Sequence, residues 1–351
     1  MRNRSLLTRR SALALGAGSA LIAAPFVRPG RAQTRTVYMN SYGGVWETSW
    51  KKAFYDPFTA QTGIQVKSVP GVSFAKLKAQ VQSRNFDWNV INLGDVEYAQ
   101  AVHDGLLEPV DKSIVKTGQL PPHMVRDFGV VSYSLGTNLV YRKDRFPNGG
   151  PQNWADFWDV KRFPGPRCLF DRSFTCLAFA LLADGVPADK IYPMDVDRAF
   201  RKMNEIKPHI KVWWRQGAQS QQLIRDGEVV MIGMWSARAV DLIEDGVPLD
   251  IVWNGAELYN ANLMVSKGDP NAKTAWEFCN FVAQPKPQAD FAMLLPYGPA
   301  NPAARALMTE ARLKQTPAWP ANEKVMFQHD AAWLAPRLAG IRERWSQWLT
   351  T

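Results

Sequence analysis

The chain has 351 residues, 46% of them hydrophobic and 21% charged, so it has enough apolar surface for a buried core and is not a disordered polypeptide. Its length indicates roughly two domains. The net charge of +10 is typical of a nucleic-acid-binding protein, but six arginines precede residue 34 and no acid does. Without those six arginines the chain carries a net charge of +4, so we expect no binding to nucleic acid.

Residues 1–32 have the pattern of an export signal. The twin arginines Arg9 and Arg10 precede an apolar run, Ala12–Ala24, and Ala32 offers a small-residue cleavage site. A membrane anchor is the weaker alternative, because the run is shorter than the ~20 residues of a membrane span. We expect twin-arginine export, cleavage after Ala32 and a periplasmic protein, with a general secretory signal as the alternative route.

Three cysteines, Cys168, Cys176 and Cys279, would enter an oxidising compartment. A bridge between Cys168 and Cys176 is conceivable, since the two residues fall on a predicted strand and the helix after it. That bridge leaves one cysteine over, and no other feature of the sequence is typical of a disulfide-stapled protein. We therefore expect unpaired, buried thiols.

Strand and helix patterns alternate along the first hundred residues after the signal. Strands are predicted at 36–40, 64–69 and 89–93, and helices at 45–62, 73–82 and 96–104. This alternation predicts a mostly parallel sheet with helices on its faces. Ligands of such sheets bind beyond the carboxyl ends of the strands, where this chain has Ser41-Tyr42-Gly43 and Gly94-Asp95. Turn geometry alone is the alternative explanation of the glycines.

The α/β pattern begins again after a strand-like passage at 130–141, which Gly136 interrupts. A helix at 153–159 begins with Asn153 as its N-cap, and a strand at 167–171 ends in Asp171. Ser173 is predicted to cap the apolar helix that follows, up to residue 183. Near the end of the chain, an amphipathic packing helix is predicted around Phe327, Trp333, Leu334, Leu338 and Trp345.

Two pairings of tryptophan and arginine lie within residues 212–240. Trp214 and Arg215 precede a helix predicted at 217–226, and Trp235 ends the strand predicted at 229–234. Ser236 is predicted to cap the next helix, so Arg238 falls in its first turn, where free N–H groups and the helix dipole favour an anion. The planar guanidinium suits a carboxylate or phosphate, with surface ion pairs as the alternative role.

Several motifs occur in a specific order along the chain. They are FTAQTGIQV at 58–66, DGLLEPVD at 104–111, NWADFW at 153–158, LIRDGEV at 223–229, Trp235-Ser236 and YGPAN at 297–301. In these motifs the chain resembles the extracellular solute-binding proteins of ABC importers, specifically the spermidine/putrescine-binding (polyamine) branch.

The resemblance implies an α/β periplasmic binding protein fold, with two hinged lobes of mixed sheets and a ligand cleft between them. Residues 34–137 plus 258–351 would form lobe 1, and residues 138–257 would form lobe 2. The protein would act as a monomer without a cofactor or metal. It would capture a small-molecule ligand by lobe closure and deliver it to a membrane permease.

The resemblance also implies an amine ligand, held between aromatic side chains with carboxylates at its ammonium ends. Tyr42, Trp235 and Tyr259 match the aromatic positions. The acids match less well, because polyamine binders have Trp-x-Asp-Asn where this chain has Tyr259-Asn260-Ala261-Asn262. Asp171 is the better candidate acid, and Asp95 and Glu97 are weaker ones.

A missing acid and added arginines favour a zwitterion over a polycation. Its carboxylate would bind Arg215 and Arg238 and its amine Asp171 or Asp95, as in a γ-amino acid; a polyamine stays the competing ligand. The predicted ligand-binding residues are Ser41, Tyr42, Gly43, Gly94, Asp95, Asp171, Arg172, Trp214, Arg215, Trp235, Arg238, Tyr259 and Asn262.

Other classes of function have less support in the sequence. The four histidines, His103, His123, His209 and His329, lack the spacing of metal ligands, and no nucleophile motif is present, so we expect no enzyme. A secreted enzyme whose residues are far apart in sequence stays an alternative. A ferric-ion binder on the same fold would need clustered tyrosines. A sensory binding protein would share the fold.

Overall fold

The computed structural model describes residues 35–351, and the predicted export signal at 1–32 lies outside them. The strands are β1 (Thr36–Ser41), β2 (Gln65–Pro70), β3 (Val90–Gly94), β4 (Val125–Arg126), β5 (Gly129–Arg142), β6 (Arg167–Phe170), β7 (Ile210–Trp214), β8 (Met231–Trp235), β9 (Leu249–Val265) and β10 (Gly298–Pro299). The α-helices before residue 300 are α1 (Gly44–Trp50), α2 (Asp56–Thr62), α3 (Phe74–Ser83), α4 (Asp95–His103), α5 (Trp154–Trp158), α6 (Ser173–Ala183), α7 (Val196–Ile206), α8 (Gly217–Arg225), α9 (Ser236–Glu244), α10 (Ala272–Val282) and α11 (Pro285–Leu294). Five helices complete the chain: α12 (Pro302–Arg305), α13 (Glu310–Lys314), α14 (Pro320–Glu323), α15 (Ala331–Leu334) and α16 (Leu338–Thr350).

The strands form one mixed sheet with the order β2-β1-β3-β9-β5-β8-β6-β7. Strands β2, β1 and β3 are parallel to one another, as are β7, β6 and β8. The long strands β5 and β9 lie between these groups and pair antiparallel with each other. Each outer group thus repeats the arrangement of the other on opposite sides of the two central strands, so the sheet has two similar halves.

The pairing of β5 with β9 is interrupted in the middle of the sheet. Thr137 lies opposite Glu257, but Leu139 lies opposite Val252, so residues 253–256 of β9 bulge out of the ladder. A third segment fills the gap: Gly255 donates its N–H to the carbonyl of Val325, and Phe327 donates to that of Ala256. The chain therefore passes between the two halves of the sheet at three neighbouring points.

Each half of the sheet has its own aromatic core. In the first, Trp50 and Phe54 pack against Phe291, with ring centroids 5.7 and 5.3 Å away. In the second, Trp154 stacks on Phe179 at 3.6 Å. The predicted C-terminal packing residues Phe327, Leu334, Leu338 and Trp345 are buried in this second core, so α16 packs on the second half of the sheet.

Most predicted elements occur within a few residues of their expected bounds. Ser73 and Asn153 cap α3 and α5 by accepting hydrogen bonds from backbone N–H groups, and Gly63 ends α2 with φ of 72°. The predicted caps at Ser173 and Ser236 are wrong. Both residues are already helical, and the caps are the extended residues Arg172 and Trp235, which use no side-chain hydrogen bond. Gly136 does not interrupt β5 either.

The cysteine prediction is confirmed, because all three are free and buried. Burial raises the pKa of the Cys168 thiol well above its usual value, which makes it a poor nucleophile. None of the helices within residues 35–351 has the length and hydropathy that a membrane crossing requires.

Candidate ligand-binding site

A cavity of about 770 Å³ lies where six strands from both halves of the sheet end. Its first side follows β1, β2 and β3, and its second side follows β6, β7 and β8, in agreement with the rule that ligands bind at the carboxyl ends of such strands. The lining residues include Ser41, Tyr42, Gly43, Trp46, Glu97, Tyr133, Phe170, Asp171, Arg172, Arg215, Gln216, Gly217, Trp235, Arg238, Tyr259, Tyr297, Arg342, Trp345 and Ser346.

The structure brings nine of the thirteen predicted residues together around this cavity. They are Ser41, Tyr42, Gly43, Asp171, Arg172, Arg215, Trp235, Arg238 and Tyr259. Gly94, Asp95, Trp214 and Asn262 lie behind the cavity wall, where each supports a residue or strand of the site.

Asp95 and Asn262 hold the first half of the sheet together. The carboxylate of Asp95 accepts hydrogen bonds from the side chains of Arg126, Asn260 and Asn262, so it has no free oxygen for a ligand amine. Gly94 is required for a different reason. A Cβ atom there would lie 1.6 Å from Cζ of Tyr259, so only glycine lets the tyrosine ring cover this position.

Trp214 is fully buried and shapes the wall from behind. Its ring stacks on Phe170 with centroids 4.2 Å apart, and its Nε1 donates to the carbonyl of Gly233 at 2.8 Å. Phe170 lines the cavity, and Trp235 stands edge-on to it at 5.5 Å. Trp214 therefore positions the aromatic wall that Phe170 and Trp235 present.

Arg238 is a cationic group of the site whose side chain donates to one protein partner, Gln221, within residues 35–351. It projects from the first turn of α9, is 6% exposed and donates from Nη1 to Oε1 of Gln221 at 3.2 Å. Its buried Nε has no hydrogen-bond partner, and it forms no ion pair within residues 35–351. Gly217 makes room for it, since a Cβ there would lie 3.0 Å from Nε. A buried guanidinium with an open donor is a site for an anion.

Arg215 and Asp171 do not act as two independent ligand groups. Nε of Arg215 donates to Oδ2 of Asp171 at 2.7 Å, and Nε1 of Trp345 donates to Oδ1 at 2.8 Å. The Arg215 side chain is 74% exposed, whereas that of Asp171 is 12% exposed. The sequence assigned Arg215 to a ligand carboxylate, but the structure pairs it with the acid predicted for the amine.

A second charged cluster surrounds Glu97. Its carboxylate accepts two hydrogen bonds from Nη2 of Arg172, at 3.0 and 3.1 Å, and one from the hydroxyl of Tyr259 at 3.1 Å. Arg342 of α16 approaches the same carboxylate at 3.5 Å. Burial raises the pKa of Glu97, but the charges of Arg172 and Arg342 outweigh it and hold that pKa below its usual range.

Arg172 is fully accommodated in this cluster. Its guanidinium lies 4.4 Å from the ring centroid of Phe174 and 4.5 Å from that of Tyr259, in addition to the contact of its Nη2 with both oxygens of Glu97. Burial lowers its pKa, but the Glu97 charge overcomes that effect and raises it. Glu97 and Arg172 come from opposite halves of the sheet, so their pair joins the two sides of the cavity.

Aromatic rings cover much of the remaining wall. Tyr42 packs edge-on against Trp46 at 5.2 Å, and Tyr133 stacks on Tyr297 at 4.8 Å. Burial raises the pKa of the Tyr42 hydroxyl, so this group is neutral and donates to the carbonyl of Asn92. Four arginines and two acids line the cavity, which gives it a net charge of +2.

Sequence reasoning missed Arg342, Trp345, Ser346, Trp46, Tyr133 and Tyr297 as lining residues. Arg342 and Trp345 lie in the C-terminal helix, where the helical pattern gives no sign that one face meets a cleft built 100 residues or more earlier in the chain. The motif YGPAN includes Tyr297 and was the one local signal for this group. No cluster of potential metal ligands occurs in the part of the chain that is described, residues 35–351.

Comparison with known proteins identifies the family to which the chain belongs. The model of the bacterial extracellular solute-binding protein family matches residues 53–325. The gamma-aminobutyric acid-binding protein of Pseudomonas aeruginosa is 33% identical over 333 residues, which are 92% of this chain and 93% of that protein. These relatives are binding proteins, which confirms that the chain is not an enzyme.

Solved structures agree with the fold. The structure of the Atu4243-GABA receptor is 34% identical and superposes with a TM-score of 0.83, covering 90% of this chain and 98% of that one. AgtB from A. tumefaciens R10, in complex with agropinic acid, is 33% identical with a TM-score of 0.83, covering 90% of this chain and 99% of that one.

The polyamine branch is a more distant relative than the motifs suggested. The spermidine/putrescine-binding periplasmic protein of Escherichia coli is 21% identical over 72% of this chain and 75% of that protein. The assignment to that branch is therefore corrected to the wider family. The chain belongs to the bacterial extracellular solute-binding proteins and is the periplasmic solute-binding component of an ABC transporter.

Proposed function

We propose that the protein captures a small amino-acid-like zwitterion and that Arg238 receives its carboxylate. The observation that carries the proposal is the buried, unpaired guanidinium in the cavity wall. A ligand carboxylate would supply its missing acceptor in a charge-assisted hydrogen bond, which is stronger than a neutral one. The names of two relatives, the gamma-aminobutyric acid-binding protein and the Atu4243-GABA receptor, support this ligand class.

Asp171 is the proposed partner of the ligand amine. Its carboxylate is mostly shielded from solvent, whereas its partner Arg215 is largely exposed and can be displaced into water at little cost. The aromatic faces of Phe170 and Trp235 are on the same side of the cavity and favour a nearby ammonium group. A long polycation is disfavoured, because the net charge of the cavity is positive.

Closure of the two lobes would complete the site. One half of the sheet contributes Tyr42, Glu97 and Tyr259 to the cavity. The other half contributes Asp171 and Arg238. A ligand that touches both sides stabilises the closed state, and the permease would recognise that state. We place the hinge at the bulge of β9, residues 253–256, and propose lobes of 34–137 plus 258–351 and of 138–257, with α16 of the first lobe packed on the core of the second. Monomeric action and export by the twin arginines are part of the same proposal.

Thermal-shift and calorimetric titration with γ-aminobutyrate, glutamate and putrescine test the ligand class. We expect an amino acid to raise the melting temperature of the mature protein, since a ligand that binds only the native state stabilises it. Arg238→Gln should abolish that shift. Arg225→Gln, which removes a surface partner of Asp245 on the neighbouring helix, is the matched control and should keep it. Binding of putrescine alone, or full binding by the Arg238→Gln variant, would contradict the proposal.

A further inference from the structure

Arg342 indicates a second anionic group on the solute. We propose that the ligand carries two acidic groups, one bound by Arg238 and the other by Arg342, so that its class is an amino acid with an additional carboxylate. This inference rests on the proposed function, and it deepens it by distinguishing a dianionic amino acid from a simple ω-amino acid with one carboxylate.

The acid nearest to Arg342 is already satisfied by other groups. Glu97 accepts from Arg172 at 3.0 and 3.1 Å and from Tyr259 at 3.1 Å, whereas its contact with Arg342 is 3.5 Å long. The Glu97 carboxylate can neutralise one guanidinium, and the better geometry assigns it to Arg172. Arg342 therefore brings a positive charge to the cavity that Glu97 does not offset.

The electrostatic environment of Arg342 agrees with this assignment. Burial and the nearby charge of Arg172 lower its pKa, and the charge of Glu97 opposes them only in part. Its side chain is 41% exposed and lines the cavity, so a soluble anion can reach it.

Arg238 and Arg342 occupy different parts of the cavity wall. Arg238 is surrounded by Gly44, Gly217 and Gln221, whereas Arg342 contacts Glu97. The Arg238 group comes from α9 and the starts of α1 and α8, and Arg342 comes from α16. The contacts named for the two arginines share no residue, and neither guanidinium has a carboxylate of its own, which favours one ligand anion for each.

The size and charge of the cavity also favour a ligand with two acidic groups. Its volume of about 770 Å³ is in the upper part of the range of about 300–1,000 Å³ found for pockets of drug-sized ligands, which is more than a four-carbon amino acid fills. The four arginines and two acids of the wall leave two positive charges. A ligand with two carboxylates and one ammonium group leaves a smaller residual charge than a neutral zwitterion does.

The test is titration calorimetry of the mature protein with matched pairs of acids and their amides. Suitable pairs are aspartate and asparagine, glutamate and glutamine, 2-aminoadipate and its δ-amide, and N-carboxymethyl- and N-carbamoylmethyl-γ-aminobutyrate. Each pair has nearly the same shape and differs in one negative charge. We expect at least one acid to bind about tenfold more tightly than its amide, as a hydrogen bond to a charged group implies.

Arg342→Gln should bring the acid-to-amide ratio close to one, because it weakens binding of the acid far more than binding of the amide. Arg344→Gln on the same helix removes the same charge from a side chain that pairs with Asp197 outside the cavity, and it should keep the ratio. The inference is overturned if every amide binds as tightly as its acid, or if Arg342→Gln weakens both equally. If neither these compounds nor γ-aminobutyrate bind, the proposed function fails first.

Discussion

Two arginines, Arg172 and Arg238, line the same cavity and are largely buried, yet their surroundings are opposite. Arg172 has a carboxylate partner in Glu97, both of whose oxygens accept from its Nη2, and it lies on the rings of Phe174 and Tyr259. Arg238 has one hydrogen bond to Gln221 and an open Nε. The protein thus supplies a carboxylate for the first guanidinium and none for the second within residues 35–351. A buried charge that the fold does not neutralise costs stability, so its retention indicates a partner from outside.

The largest effect is expected from breaking the Arg172 cluster. Arg172→Met leaves the carboxylate of Glu97 buried with the hydrogen bond from Tyr259 and, as its one nearby cation, Arg342 at 3.5 Å. We expect a loss of about 3–5 kcal/mol in the free energy of unfolding, measured by urea denaturation. The double variant Arg172→Met/Glu97→Gln removes both charges and should regain much of this loss. A double variant as unstable as the single one would show that Glu97 is not the reason.

A pH-dependent effect of intermediate size is expected from Glu257, which extends the Arg172 cluster towards the bulge of β9. Burial by itself raises the pKa of this carboxyl. The hydrogen bond from His329 at 2.8 Å and the charges of His329 and Arg172 have the larger effect, and they lower the pKa to about 2. A folded-state pKa below the unfolded value stabilises the protein above about pH 4.5, and that stability is lost as the pH falls towards 2.

The integrated contribution of Glu257 is on the order of 3 kcal/mol, from 1.36 kcal/mol for each unit of pKa. Denaturation curves between pH 2 and pH 7 should show that Glu257→Gln is destabilised at pH 7 by about this amount and approaches the unchanged protein near pH 2. Glu277→Gln, which removes a surface partner of Arg35, should run parallel to the unchanged protein. An equal deficit of Glu257→Gln at all pH values would contradict the prediction.

The smallest effect, and the one of opposite sign, is expected at Arg238. Arg238→Met removes a buried charge without a counter-ion and keeps most of the side-chain volume, so the ligand-free protein should gain about 1 kcal/mol in unfolding free energy. The same variant should lose its ligand-dependent increase in melting temperature. A loss of stability similar to that of Arg172→Met would show that the fold, not a ligand, requires Arg238.

The amino-acid sequence determined the local units of this protein. Hydrophobic periodicity and the turn residues located the strands and helices, and the position of Arg238 in the first turn of a helix after a buried strand was predictable from Trp235, Ser236 and the apolar run before them. The motif order led to the right family. These properties depend on residues that are close in sequence, where spacing and propensity carry the information.

Only the tertiary structure decided which charges are free. The sequence could not show that Arg215 pairs with Asp171, 44 residues earlier, or that Arg342 approaches Glu97 across 245 residues. Asp95 was predicted to bind the ligand, but its carboxylate accepts hydrogen bonds from three neighbouring side chains. Trp214 was predicted to line the site, but it is buried behind the cavity wall. Ion pairing and burial depend on distances between elements that the sheet order brings together, so the identity of the unpaired arginines emerges only from the folded chain.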